Sequence, residues 1–298
     1  MKRAIAVAFL CAACLGWGRL SAQSPVDRAI WLWDTGSRTD AVNTIQRAVQ
    51  GEAKQDAEAW YVWGYFEKEL YKSEGKYPNS AHRESARSAL SEAWRLPADE
   101  EVREQTRAAL SYLSDTYFQD AMKWVASFNA AAEPDAQAAF EAALELKTLL
   151  DPGLDKGALE AEWERQLGQA FGRLLENSEV ATEQGLLLEA VGHYEASLVL
   201  EPEHYGTLYN LAITLYNHGV RQLKRIGPET SMFELMEIQD ACVGLFEEAL
   251  PIMQRAHDQQ PDRPETLKGL MTIHHALGQD ELSNRYKVDL EKVLRNGG

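Results

Sequence analysis

Few residues of this chain combine the type and the spacing that chemistry demands. His274 and His275 are its one pair of adjacent imidazoles. On a helix, neighbouring side chains diverge by about 100°, so these two cannot close on one ion. The sequence holds no His-Glu-x-x-His pair, no Gly-x-Ser-x-Gly elbow, no Walker phosphate loop, no dinucleotide glycine pattern and no Asp-x-Asp-x-Asp-Gly calcium loop. Glu–Glu pairs are scattered along the chain, and none is set apart for acid–base work. Cys242 is the only thiol beyond residue 22, and its neighbours Ala241, Val243, Leu245 and Phe246 are apolar. That setting describes a buried structural thiol rather than a nucleophile, with no internal disulfide. The expectation is a non-catalytic chain with no cofactor and no metal.

Charge narrows the partners. The chain carries 46 acidic against 30 basic residues, a formal net charge of −16. Such a surface repels phosphate backbones and anionic lipid, so nucleic acid is not an expected partner. The acids read as solvated outer helix faces.

The first residues have the form of a targeting segment. Lys2 and Arg3 precede an uncharged apolar run from Ala4 to Leu15, and Leu20-Ser21-Ala22 offers a small residue before Gln23. This is the layout of a secretory signal peptide, too short to be a comfortable membrane span. The expected division is a signal over 1–22 and a helical repeat domain over 23–298. Cleavage after Ala22 removes three cations and takes the net charge to −19. A competing reading is a lipoprotein signal ending at Ala12-Ala13, with lipid on Cys14. No second apolar stretch is long enough to span a bilayer, so no integral span is expected in the mature chain.

The elements that must position any site are helices. Ala, Leu and Glu dominate, strand-type Val/Ile runs are missing, and apolar residues recur every three to four positions, as at Leu208, Leu211 and Leu215. Breakers at Gly36, Gly75 to Pro78, Pro97, Pro134, Pro152-Gly153, Gly185, Pro202, Gly227-Pro228, Pro261 to Pro264 and Gly278 divide the chain into about twelve helices. The expected fold is all-α, an α-solenoid of about six antiparallel pairs.

One mark recurs down the chain: Ala, a larger apolar residue four on, a small residue three further, then Pro. It reads Ala190/Tyr194/Ser197/Pro202 and Ala249/Met253/Ala256/Pro261, and without Pro at the same spacing, Ala41/Ile45/Ala48, Ala86/Leu90/Ala93 and Ala136/Phe140/Ala143. A sixth version, around Ser283 and Tyr286, is degenerate. In front of these stand Trp60-x2-Trp63-Gly64, Leu167-Gly168-x2-Phe171, Leu208-x2-Leu211-Ala212-x2-Leu215 and Leu267-x2-Leu270. Small residues allow two helices to approach and the larger one fills the gap.

Together these motifs resemble the tetratricopeptide repeat (TPR) family, whose helix pairs carry Trp-x2-Leu-Gly-x2-Tyr, Ala-x3-Phe and Pro. With segments such as Asp56-Ala57-Glu58-Ala59-Trp60-Tyr61 and Tyr209 to Asn217, the chain resembles exported TPR proteins of Gram-negative bacteria, particularly the Bacteroidota. The Ala marks are spaced 45, 50, 54 and 59 residues apart, against a family period of about 34. The repeats are therefore elongated. The extra residues read as loop over Lys72 to His82 and Asn177 to Gly185, and as helix over Met232 to Ala256.

The resemblance implies core positions for Trp60, Trp63, Phe140, Phe171, Tyr194 and His274. It also implies that other first-helix positions line a concave groove. Carried over by phase, these are Tyr61, Tyr65 and Lys68, then Arg165, Gln169 and Arg173, then Tyr209, Ile213, Tyr216 and Asn217, and finally Lys268, Thr272 and His275. Tyrosines with interleaved basic and amide groups suit an extended peptide. Arg165, Arg173 and Lys268 suit an acidic segment or a free C-terminus. The functional expectation is a non-catalytic scaffold of the periplasm or outer-membrane periphery that binds a protein or peptide partner. The alternatives are a membrane-held accessory lipoprotein of an assembly or secretion complex and, remotely, an enzyme with its site in the inserts.

Overall fold

The computed structural model describes residues 24–127, 131 and 133–296; the signal segment and both cleavage readings lie outside them. Twelve helices and no strands occur among the described residues. In chain order they are α1 (Pro25–Asp34), α2 (Arg38–Gln50), α3 (Ala57–Ser73), α4 (Ala81–Arg95), α5 (Glu100–Ala126), α6 (Glu133–Leu150), α7 (Lys156–Glu176), α8 (Val180–Leu200), α9 (Tyr205–Leu223), α10 (Met232–Gln259), α11 (Pro264–Ala276) and α12 (Asp280–Asn296). The fold is all-α and built from stacked helix hairpins. It divides into two compact units, Met1–Leu113 and Ser114–Gly298.

Local chemistry starts the helices where the breakers permit. Asp56 caps α3 by accepting from the Glu58 and Ala59 amides at 3.0 and 3.4 Å. Asp155 does the same for α7 through the Ala158 amide. Ser231 and Glu234 form a reciprocal capping box at the start of α10. Pro264 enters α11 in its first turn, where an N–H is not needed.

In the first unit α1 packs on α2, α2 on α3 and α3 on α4, and α1 also touches α3. In the second, each helix from α6 onward packs on its successor, and the first helices α7, α9 and α11 touch in turn. There α5 meets α6 through Ala121, Val125, Ala136 and Phe140. The Ser114 hydroxyl adds a bond to the Ala143 carbonyl at 3.1 Å.

The recurring mark is buried in five of the hairpins. Ala41, Ala86, Ala136, Ala190 and Ala249 are fully buried, and so are or nearly are Ile45, Leu90, Phe140, Tyr194 and Met253. In two of these hairpins the first helix meets the mark with a glycine. A Cβ on Gly64 would lie 2.5 Å from Leu90 Cγ, and one on Gly168 would lie 2.8 Å from the Tyr194 ring. The small residue is thus a recess shaped to the large one opposite.

The long period has a structural cause. In the α9/α10 hairpin a second contact of the same kind lies two turns beyond Ala212: a Cβ on Gly219 would stand 2.6 Å from the Phe246 ring. Beside it the buried Cys242 thiol donates to the Gly219 carbonyl at 3.2 Å. The insert is extra helix on both arms, closed by its own apolar layer. The segment from Asn177 to Gly185, expected as loop, is a correction. α8 already begins at Val180, and Gly185 sits inside it with open space around it. A breaker is tolerated there because tertiary packing outweighs its helix cost of about 1 kcal/mol. At the far end α12 has no buried residue. It is held by Tyr286, which stacks on His274 at 5.4 Å and donates to Gln254 at 3.0 Å.

The glycines give a prediction with two signs. Gly64→Ala should destabilise the chain by about 1–3 kcal/mol, since overpacking against Leu90 exceeds the gain in helix propensity. Gly192→Ala, with nothing within 4 Å of the added methyl, should stabilise α8 by about 0.5–1 kcal/mol. Urea unfolding of both variants, followed by circular dichroism, measures the pair.

Candidate functional site

In the first unit the predicted residues share α3. Tyr61 and Tyr65 lie half-buried with ring centroids 6.0 Å apart. Burial pushes the Tyr61 hydroxyl up to about 12. Lys68 is buried, with its ammonium 4.5 Å from the Tyr65 ring centroid and 2.9 Å from Glu69. Burial pulls its pKa down, against the opposing effect of Glu69. Glu69 also takes Lys72 at 2.8 Å, and Lys72 lies over Tyr112. The cation is thus part of the packing of this face.

In the second unit α7 and α9 lie side by side and enclose a cleft of about 370 Å³. Four predicted residues meet in it: Gln169 and Arg173 from α7, and Ile213 and Asn217 from α9. Tyr194, from the buried mark of α8, supplies part of the floor with Thr214; burial pushes its hydroxyl up to about 12. Asn210, His218 and Arg221 line the α9 wall. Arg173 is exposed and donates to the Val125 carbonyl at 3.1 Å. The cleft offers amide, hydroxyl, imidazole and guanidinium groups and the Glu176 carboxylate beside an apolar surface of similar extent, the chemistry that holds an extended backbone and its polar side chains.

Other predicted residues sit elsewhere. Arg165 is drawn into the structure: it pairs with Glu162 on its own helix and with Glu201 at 3.6 Å. It also donates to His204 Nδ1 and Thr207 Oγ1 at 3.2 and 3.4 Å. His204 Nδ1 in turn accepts from the Thr207 amide and caps α9. Burial and the Arg165 charge lower the His204 pKa, which keeps that nitrogen an acceptor. Tyr209 and Tyr216 pack against the core; Tyr209 stacks on Tyr205 and Tyr216 tilts against Phe246. On α11, Lys268 and His275 are exposed, His275 faces Asp280 at 3.3 Å, and Thr272 bonds back to its own helix.

Sequence reasoning missed Asn210, Thr214, His218 and Arg221. Positions 210, 214, 217 and 221 form a polar stripe of helical period on α9, and that stripe was the available signal. It missed Glu183 entirely. This carboxylate is almost fully buried in the first turn of α8 and receives Arg221 at 2.9 Å and Gln222 from α9, with Arg225 from the turn that follows α9. Arg221 also donates to the Leu175 carbonyl. Burial alone would raise the Glu183 pKa, but the hydrogen bond and charge of Arg225, with Arg221, hold it below its ordinary value. The buried acid therefore fixes the end wall of the cleft.

No family model and no curated protein matches the chain. Among solved structures it is similar to YrrB, described as a TPR protein with an unusual peptide-binding site, at 16% identity over 82% of this chain and 88% of that one, with a TM-score of 0.24. It is similar to a human IFIT1 dimer with PPP-AAAA at 11% identity over 92% and 72%, TM-score 0.25. BtubC from P. vanneervenii aligns at 17% identity over 92% of both chains, TM-score 0.29.

Glu183→Gln should destabilise the protein by about 3 kcal/mol, because two arginines lose the charge that holds them. The same lowered pKa sets a pH dependence. Stability contributed by Glu183 is complete above its unfolded pKa of about 4.3 and is lost as pH falls through the lower folded value. Thermal melts of wild type and Glu183→Gln should converge toward pH 3 and diverge above pH 5.

Proposed function

We propose that this chain is an exported TPR-type scaffold of the cell envelope, non-catalytic, that holds a peptide segment of a protein partner in the α7/α9 cleft. One observation carries the reading: Gln169, Arg173, Ile213 and Asn217, expected on one face from the repeat phase, converge on one cleft whose lining includes amides, hydroxyls, two arginines and the Glu176 carboxylate. A bound strand needs alternating donors and acceptors along a preformed wall, and two adjacent first helices provide them. Arg173 is the cleft cation suited to an acidic side chain or terminal carboxylate. With Arg165 engaged by Glu162, Glu201, His204 and Thr207, recognition of negative charge rests on Arg173. Export is supported by the Lys2-Arg3 start, the apolar run to Leu15 and the small residue at Ala22. No helix of the described residues is long and apolar enough to cross a membrane.

Photo-crosslinking in the producing cells tests the cleft. A photoreactive phenylalanine analogue at Asn217 should give a discrete protein adduct that Arg173→Glu reduces at least tenfold. The same probe at the exposed Lys292 should not give it. Equal adducts from both positions would sink the cleft assignment. The N-terminus is tested separately. Sequencing of the exported chain should begin at Gln23, whereas a palmitate label that depends on Cys14 would replace the free scaffold with the membrane-held lipoprotein.

A further inference from the structure

Away from the cleft, α6, α7 and α8 bring a second set of ionisable groups together. His193 and Glu189 lie four residues apart on α8 and project from one face. Glu164 on α7 stands with Oε2 2.7 Å from His193 Nδ1. Glu133, in the first turn of α6, places Oε1 3.4 Å from His193 Nε2. The imidazole lies flat against Phe171, centroids 5.3 Å apart and planes 16° apart, and is 15% exposed.

The hydrogen-bond arrangement assigns the two ring nitrogens different tasks. Nδ1–H donates to Glu164, so the neutral ring carries its lone pair on Nε2. Nε2 is shielded from solvent and has no hydrogen-bond partner. The groups facing it are the carboxylates of Glu133 and Glu189, and the ligating atoms of all three side chains lie within 4.8 Å of one another. Burial opposes a charge on this ring, but Glu164, Glu133 and Glu189 raise its pKa overall, so the space between Nε2 and the two carboxylates favours a cation, either a proton or a metal ion in its place.

We propose that Glu133, Glu189 and His193 bind one divalent transition-metal cation of the zinc class, with Glu164 as a positioning residue that fixes the ring. The donor set is one imidazole nitrogen and two carboxylates. That set suits zinc, and calcium and magnesium favour oxygen-only shells. Zinc bonds of about 2.0–2.2 Å separate neighbouring ligand atoms by about 3.4 Å. The ligand atoms lie within 4.8 Å of one another, so binding requires the two glutamate side chains to close that distance. The carboxylate behind Nδ1 is the usual support of a metal-bound histidine. Ligands drawn from α6 and α8 would pin the start of α6 to the neighbouring hairpin. The sequence, which leads to an expectation of no metal, conceals the set because Glu133 lies 56 residues from Glu189.

The test is isothermal titration of zinc chloride into the chelator-stripped protein, joined to nitrogen-15 NMR of the histidine rings. Wild type should take up one zinc per chain, with the His193 Nε2 resonance shifting and Nδ1 remaining protonated. His193→Gln and Glu189→Gln should each weaken uptake more than tenfold. Glu164→Gln should weaken it about tenfold, and His275→Gln, which alters an exposed imidazole, should leave it unchanged. Should His193→Gln lose its helical circular dichroism, Glu133→Gln at the helix start provides the same comparison. Absent uptake, uptake undiminished by the folded ligand variants, or a His193 ring that stays doubly protonated with zinc in excess overturns the proposal.

Discussion

The hairpins depend on how closely two helix backbones approach, and in three of them that distance is set where a glycine of the first helix receives a bulky side chain from the second. Gly64 takes Leu90, Gly168 takes Tyr194 and Gly219 takes Phe246. A methyl group at any of these positions would push the helices apart and open the layer of buried alanines behind them. Contact between first helices follows from this approach, and so does the cleft. Tyr194 fills the Gly168 recess with its ring and leaves its hydroxyl on the floor between α7 and α9. One side chain therefore closes the hairpin and lines the cleft.

Much of this was legible because it depends on residue size at fixed spacing. The marks from Ala41 to Ala249 are the buried centre of their hairpins, and the phase they set places Gln169, Arg173, Ile213 and Asn217 on one cleft. Charge pairing was not legible in the same way. Lys68 and Arg165 occupy helix positions of the same phase as Arg173, yet Glu69 and Tyr65 absorb one and Glu162, Glu201 and His204 the other. Which cation is engaged depends on neighbours supplied by other helices. Glu183 was hidden by Gly185 and Asn177, whose turn preference is a local signal that the packing of α8 overrides. His193 was hidden because its neighbours come from three helices.

The charge imbalance also takes on a structural meaning. A chain with 46 acids and 30 bases uses part of its positive charge internally. Arg165, Arg221 and Arg225 extend their guanidinium groups between helices, where planar, multidentate donors satisfy several acceptors at once. The ammonium of Lys68 is buried on tyrosine. Each of those cations is paired with a carboxylate, so the acidic excess of the chain stays on its outer surface. That surface promotes solubility and repels anionic partners, while Arg173 remains exposed at the cleft.

The bridges from Glu183 to Arg221 and Arg225, and from Arg165 to His204, join the α7/α8 hairpin to α9. Repeat chains commonly grow and shrink by duplicating or deleting a unit, because each unit needs only generic apolar neighbours. Here excision of α9/α10 would strand a buried carboxylate, and insertion of a foreign hairpin would have to supply two arginines at matching heights. This stretch has accordingly lost the interchangeability of a repeat, and would be inherited as a block.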